Sequence, residues 1–299
     1  MSHEITVARV MKFKSDVIFL AQQKGSVVRD FIQLKEDVVG KSTFFERVGS
    51  SDMVDVSTRH GASPQRDTPH SRRRVNLITS DWGDLIDKAD QRRVKIDILA
   101  AYTQTAAWAV GRRFDQHVIN AATGNALSDE TGSTSVALPA TQKVAVTVGG
   151  GGSDVGLNLD KLLRAKEIFD NNYPNDAEDA SVQRLCLLHS RQLNRDLMPN
   201  DKIGSTDYNT LRALARGELK EYLNFRFILT NLLNTDANSD RQVICMRANA
   251  VGLGVGMDMD LEVAKDPGFR FSTRVFVEMD MGAGRVEEEG VVEIACDES

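Results

Sequence analysis

The chain has 299 residues and a net charge of −6, with 41% hydrophobic and 27% charged residues, enough apolar material for one large core or two modest ones. The acidic balance argues against a surface built throughout for nucleic acid, although not against a local basic patch. The sequence also lacks a membrane-spanning apolar run and the layout of a signal peptide, so we expect a protein of the reducing cytoplasm whose three widely spaced cysteines are buried free thiols.

Residues 1–42 have apolar positions without a sustained period, which predicts an N-terminal arm rather than a domain. The sequence GKST at 40–43 invites comparison with a phosphate-binding loop. That loop requires a glycine five residues before Gly40, where this chain has Lys35. A nucleotide site is therefore not predicted here.

The stretch from 43 to 86 is polar, and two alternating runs at 44–58 and 71–85 flank a turn-forming cluster at 61–64. This pattern predicts a long hairpin with two wetted faces. Such a hairpin needs a partner, because an isolated two-stranded ribbon is marginally stable in water. Its return run contains three consecutive arginines, for which two interpretations stay open: contact with an acidic surface or phosphate, and a solvated basic cluster.

Residues 91–122 predict one long amphipathic helix, because apolar side chains recur every three or four positions until the helix-ending residues 123–125. A helix of this length is a rod of roughly 48 Å and usually spans a domain. A coiled-coil or bundle helix is the alternative. It is disfavoured because the apolar stripe is rich in alanine and poor in leucine, and no second helix of similar length is predicted.

The rest of the chain alternates predicted strands and helices, which is typical of an α/β region followed by a terminal hairpin. A glycine-rich segment at 149–156 lacks the spacing of a dinucleotide-binding loop and is predicted to be a flexible joint. The predicted elements are a strand at 143–148, a helix capped by Asn158 with Leu159, Leu162, Leu163 and Phe169 facing inward, a buried strand at 182–189, a short helix after Ser190, a helix at 206–215, strands at 222–230 and 242–246, and a final hairpin of 269–281 and 292–296 turned at 282–284.

No catalytic or metal-binding motif is present, and the five histidines stand apart in sequence. Asp258, Asp260 and Glu262 alternate on one side of a predicted strand. They could bind a cation, although a solvated acidic strand edge is the better interpretation, because the glycine and ligand spacing of a calcium loop are missing. We therefore predict no catalytic residues, no cofactor and no metal.

The order of these parts, together with the phrases GKSTFFERVG and FDQHVINAATG, resembles the major capsid protein of tailed bacteriophages, whose fold is also used by encapsulin shells. The resemblance implies an α+β capsid fold. Its parts would be an N-terminal arm at 1–42, an extended hairpin or E-loop at 43–86, a peripheral P-domain at 87–156 and 257–299 with its spine helix at 91–122, and an axial A-domain at 157–256.

The resemblance also implies a structural, non-enzymatic protein that assembles in the host cytoplasm into the virion, an icosahedral shell of pentamers and hexamers around double-stranded DNA. The implied partners are other copies of the chain, a portal, a possible decoration protein and the packaged DNA, with no membrane. A separate scaffolding protein is expected because only about 40 residues precede the E-loop, whereas some members carry a scaffolding domain of about a hundred residues there.

The E-loop would lie over a neighbouring subunit, and this arrangement predicts a set of inter-subunit contact residues. These residues are Phe44, Phe45, Arg66, Arg72, Arg73 and Arg74. Two alternative functions stay open: an encapsulin-type compartment enclosing an enzyme, and a soluble two-domain α/β enzyme whose glycine-rich segment closes over a ligand.

Overall fold

The computed structural model describes residues 24–55, 58–59, 65–87, 98–177, 182–197 and 221–298, which contain two long helices and several sheets. The helices are α1 (Ile98–Thr123) and α2 (Leu159–Asn172), with a π-helix at Gln192–Leu197. The strands are β1 (Gln33–Lys35), β2 (Ser42–Val48), β3 (His70–Asn76), β4 (Ile78–Ile86), β5 (Ala126–Ser128), β6 (Thr134–Val136), β7 (Lys143–Val144), β8 (Arg184–Leu188), β9 (Glu221–Tyr222), β10 (Phe225–Leu229), β11 (Arg241–Arg247), β12 (Val251–Asp266), β13 (Ser272–Arg285) and β14 (Val291–Cys296).

Contacts divide the chain into two compact units, each made of separated segments. One comprises 1–26, 80–112 and 259–279, and the other comprises 27–79, 113–258 and 280–299. These units do not follow the predicted arm, E-loop, P-domain and A-domain boundaries, which stay a prediction.

The larger unit contains a six-stranded mixed sheet in the order β7-β14-β11-β8-β10-β9. Its central strand β8 is buried along its whole length, as the apolar run at 182–189 predicted. The predicted cap of α2 is confirmed, because the Asn158 side chain accepts a hydrogen bond from the Lys161 backbone N–H at 2.8 Å. Leu162 and Phe169 of α2 pack on the sheet, whereas Leu163, predicted to face inward, is exposed.

The predicted terminal hairpin is wrong. The strand β13 continues through 282–284 to Arg285, and β14 pairs with β11 and β7 in the six-stranded sheet. The glycines at 282 and 284 do not turn the chain. They lie within β13 and allow another segment to approach it closely, since a Cβ atom at Gly282 would overlap the backbone carbonyl of Asn76. Sequence alone does not distinguish a glycine that permits close packing from one that makes a turn.

The strand predicted at 143–148 is also shorter than expected. Only Lys143–Val144 are paired, beside β14, and the chain then folds into successive turns closed by hydrogen bonds from Val148 to Ala145 and from Gly150 to Thr147. Two of the three alternating valines contact the core of the larger unit without a strand: Val144 belongs to it, and Val148 packs against it from the loop.

The long helix α1 is described from Ile98 to Thr123, so its end agrees with the prediction, and the predicted start at Gln91 lies outside the described residues. Phe114 and Val118 of the predicted stripe are buried. Its C-terminus is held by the buried Arg285 side chain, which donates hydrogen bonds to the backbone carbonyls of Ala122, Gly124 and Val136 at 3.1, 2.6 and 3.0 Å. The helix predicted at 206–215 falls outside the described part of the chain.

The three cysteines are buried and free, as predicted. Burial raises the pKa of the Cys186 thiol well above its usual value, and it raises that of Cys296 to about 12. A thiol reagent attacks the thiolate, so we expect it to label almost no cysteine in the native chain and three per chain after denaturation. Mass spectrometry after brief alkylation measures this, and rapid labelling of the native chain would contradict the buried arrangement.

Candidate assembly surfaces

The predicted hairpin at 43–86 is observed at its base, which consists of β2 and β3. These two strands form seven antiparallel pairs, from Ser42–Asn76 to Val48–His70. It differs from the prediction in two ways. The return run splits, because β3 joins β5 in one sheet while β4 joins a second sheet next to β13. The hairpin also has one buried face, so the expectation of two wetted faces without a core is wrong.

The buried face of the hairpin consists of alternate side chains from both strands. Phe45 and Val75 pack with Val286 in a small apolar cluster. The ring of Phe45 lies directly over Gly252, where a Cβ atom would come within 2.8 Å of two ring carbons. A bulkier residue at Gly252 would therefore displace Phe45, and Phe45 already packs within its own chain.

Arg73 lies on the same buried face and is neutralised within the chain. Its guanidinium forms an ion pair with Glu288, which also accepts a hydrogen bond from Arg47 at 3.1 Å. The side chains of Arg73 and Glu288 are each only 8% exposed. The carboxylate is therefore shared by two arginines of the hairpin, and it ties β2 and β3 to the segment between β13 and β14.

Arg72 and Phe44 lie on the outer face of the hairpin. The guanidinium of Arg72 stacks over the Phe44 ring at 5.4 Å and lies 3.3 Å from the carboxylate of Glu46, on a partly exposed surface. An exposed pair of this kind contributes little to folding stability. Because the Arg72 and Glu46 side chains are exposed, they are accessible to a second molecule.

Arg74 and Arg66 differ in their surroundings. Arg74 donates a hydrogen bond to the backbone carbonyl of Thr131 at 3.3 Å, whereas Arg66 is exposed in the segment before β3. A single chain does not test contacts between subunits, so the inter-subunit roles of Phe44, Phe45, Arg66, Arg72, Arg73 and Arg74 stay predictions.

A polar groove of about 650 Å³ lies beside the base of the hairpin, within the larger unit. The end of α2 forms one wall, where the Tyr173 hydroxyl donates a hydrogen bond to Glu287 at 3.0 Å and the Arg247 guanidinium stacks on the Tyr173 ring. Arg247 is itself paired with Asp176 at 2.7 Å. The polar groups of this wall are therefore paired with one another, and the mostly polar lining makes the groove unlike an apolar ligand pocket.

Sequence reasoning missed Glu288 and Gly252. Glu288 lies in the acidic run 287–289, which looks like any solvated charged turn, and nothing local indicates that one of its three carboxylates is buried. Gly252 lies in an alternation of glycine with apolar residues at 252–256. That alternation is the signal that could have indicated close packing on a strand.

The acidic residues at 258–262 are exposed on β12, and Asp258 forms an ion pair with Arg29 at 3.0 Å. In the described part of the chain, no three His, Cys, Asp or Glu side chains are grouped so that they could hold a metal ion. No helix there is both long and apolar enough to cross a membrane.

Comparison with known families gives a match to the model described as phage capsid protein over residues 5–298. A comparison with curated protein sequences gives no match.

Solved capsid structures resemble the whole chain. The capsid of cyanophage P-SCSP1u has a TM-score of 0.71 at 20% identity, covering 98% of this chain and 94% of that one. The capsid of Ralstonia phage GP4 has a TM-score of 0.71 at 12% identity, covering 97% of each chain. The capsid of an empty GTA particle has a TM-score of 0.66 at 13% identity, covering 99% of this chain and 97% of that one. The predicted α+β capsid fold is thereby confirmed.

Proposed function

The chain belongs to the phage capsid protein family and is a structural major capsid protein of a phage, and we propose that its copies form an icosahedral shell of pentamers and hexamers. In this proposal the shell encloses the double-stranded DNA genome of a tailed phage and is assembled in the host cytoplasm. The observation that carries the proposal is the extent of the family match, which runs from the arm to the last strand. As a structural protein, the chain has no catalytic task in this proposal.

The charge of the chain fits a container for DNA. Binding to the phosphate backbone strengthens with each basic side chain that neutralises a phosphate. A strongly basic interior would therefore hold the genome too tightly for packaging and release. A net charge of −6 per subunit avoids this, and it leaves basic side chains such as Arg72 for contacts with acidic groups of neighbouring subunits.

The test is to express the chain with and without a candidate scaffolding protein and to examine it by sedimentation and negative-stain electron microscopy. Closed shells tens of nanometres across support the proposal. A folded species of only one or two chains under every condition would contradict it. Shells that form uniformly without a second protein would argue against the expected scaffolding partner alone.

The encapsulin-type compartment differs from this proposal in its cargo, and the family and structural relatives do not favour it. Shells recovered from infected cells should contain nuclease-protected DNA, and a portal or terminase gene should neighbour the capsid gene. Shells that instead contain one enzyme as their main cargo would favour the compartment.

We expect the shell to hold together without covalent links through the E-loop. Some capsids of this fold join neighbouring subunits through a lysine on this loop, and this chain has no lysine between Lys41 and Lys88. When purified particles are boiled in detergent, the capsid chain should therefore run as a monomer at the 33.0 kDa of one subunit. A ladder of covalent multimers that survives reduction would contradict this prediction.

A further inference from the structure

The hairpin formed by β12 and β13 exposes an unusual amount of apolar surface, all within the segment 259–279. Met259, Leu261 and Val263 occupy alternate positions on one face of β12 and are 45%, 37% and 44% exposed. Phe269 and Phe271 in the turn are 57% and 54% exposed. Contiguous apolar surface of this kind marks an interaction site rather than ordinary solvent-facing surface.

The outer edge of this part of β12 is open in the described part of the chain. The strand β1 pairs only with 252–254, and the sheet order places no other strand on that side. The opposite face of the open stretch has the exposed carboxylates of Asp260 and Glu262. Within the described residues, the strand therefore offers an edge without a partner strand, with an apolar face and an acidic face, which is a template for another chain.

The turn between β12 and β13 has a basic residue and exposed aromatic rings, which complement the acidic and apolar faces of the β12 edge. Its first part is fixed by the Asp266 side chain, which accepts a hydrogen bond from the Gly268 N–H at 2.9 Å. Arg270 and Phe271 both adopt left-handed backbone angles, with φ of 52° and 57°. This conformation is unfavourable for residues other than glycine. The strained turn presents a cation between two exposed aromatic rings.

We propose that the turn of one subunit docks on the open β12 edge of a second copy of the chain. Phe269 and Phe271 would cover the apolar face, and Arg270 would meet the carboxylates of Asp260 and Glu262 on the acidic face. We choose a second copy as the occupant because the same hairpin has both complementary surfaces. Its turn has the basic and aromatic side chains, and its β12 edge has the acidic and apolar ones. The inference rests on the proposed function and identifies one of its contacts.

The turn and the edge are different surfaces, and in the rings of subunits that the proposed shell contains, the contact between them is heterologous. Each subunit offers its edge to one neighbour and its turn to another, and such contacts form a ring when the rotation closes. The area of one contact is modest. Repetition around a ring and over a shell makes it effective, because neighbours already hold each subunit in place.

The first test is a cysteine crosslink between different subunits. Variants F269C and L261C are co-expressed and co-assembled, and the particles are oxidised with copper phenanthroline and analysed without reducing agent. We expect a disulfide-linked heterodimer at twice the subunit mass. The control pairs F269C with L163C, an exposed leucine on α2, and should give no more heterodimer than background.

The second test is a charge exchange. We expect R270E to lower the particle yield at least tenfold while leaving the circular dichroism spectrum of the unassembled chain unchanged. Adding D260K and E262K should restore the yield to within about twofold of wild type. The matched control adds E36K and E130K to R270E instead, two exposed sites outside the β12–β13 hairpin and outside the E-loop with the same change in net charge, and should not restore it.

The outcomes separate this inference from the proposed function. Wild-type chains that never form shells would overturn the proposed function, and this contact with it. Shells that form without the F269C–L261C heterodimer, a β12 edge that crosslinks to a different polypeptide, or an R270E variant that assembles normally would overturn the contact alone.

Discussion

Replacing Glu288 with glutamine should destabilise the folded chain by about 3–5 kcal/mol, the cost typical of leaving one partner of a buried ion pair uncompensated. Glu288 neutralises Arg73 in a site where both side chains are nearly inaccessible, and it also accepts a hydrogen bond from Arg47. The neutral amide keeps the shape of the side chain but removes the charge. Without the Glu288 carboxylate, the buried guanidinium of Arg73 has no other counterion among the described contacts.

Urea unfolding of the full chain, followed by far-ultraviolet circular dichroism, measures this change. The matched control is E289Q, because Glu289 is the adjacent residue and is exposed, and its charge should contribute less than about 0.5 kcal/mol. An E288Q variant that unfolds at the same urea concentration as wild type would show that the Arg73 charge is solvated. A double variant E288L/R73M should recover much of the loss, because it removes both buried charges.

Lowering the pH from 6.5 to 4 should destabilise the folded chain by about 3 kcal/mol through His117 alone. This histidine on α1 is buried, its Nε2 has no hydrogen-bond partner in the described part of the chain, and burial together with the charge of Arg113 lowers its pKa to about 4. At pH 7 the imidazole is neutral in the folded chain and mostly neutral in the unfolded chain. Between pH 6.5 and 4 only the unfolded chain binds the proton, so falling pH favours unfolding, and below about pH 4 the full penalty is present.

The contribution of His117 is isolated by comparing variants across this pH range. H117Q should flatten the dependence of unfolding free energy on pH by about 3 kcal/mol between pH 6.5 and 4, whatever it costs in stability at pH 7. H70Q is the control, because His70 is exposed at the start of β3. A wild-type slope that is unchanged by H117Q would mean that His117 takes up a proton in the folded state near its usual pKa.

The parts of the fold that sequence predicted well are those with a strong local signal. The end of α1 follows from its apolar period and the helix-ending residues after it, and the cap of α2 follows from an asparagine placed before an amphipathic run. The buried strand β8 follows from an uninterrupted apolar run. Each of these signals depends on neighbours within about one helical turn or one strand.

The terminal segment shows where local signals stop being informative. Residues 269–296 alternate like a hairpin with a glycine turn, yet β13 and β14 belong to different sheets. Strand partners are chosen by the packing of distant segments, and a glycine required for close approach looks the same in sequence as one required for a turn. The same limit applies to the hairpin of β2 and β3, whose buried face depends on Val286 and Glu288, more than 200 residues away in sequence.

Composition, hydrophobic period and order along the chain were enough to predict the main helices, the buried thiols and the resemblance to a capsid subunit. The packing of distant segments, by contrast, selects which of the three consecutive arginines is buried and which glycines admit a neighbouring segment. It also decided that the strand edge at 259–266 and the strained turn at 269–271 are exposed. Burial and exposure are properties of what packs from elsewhere in the chain, so no local pattern specifies them.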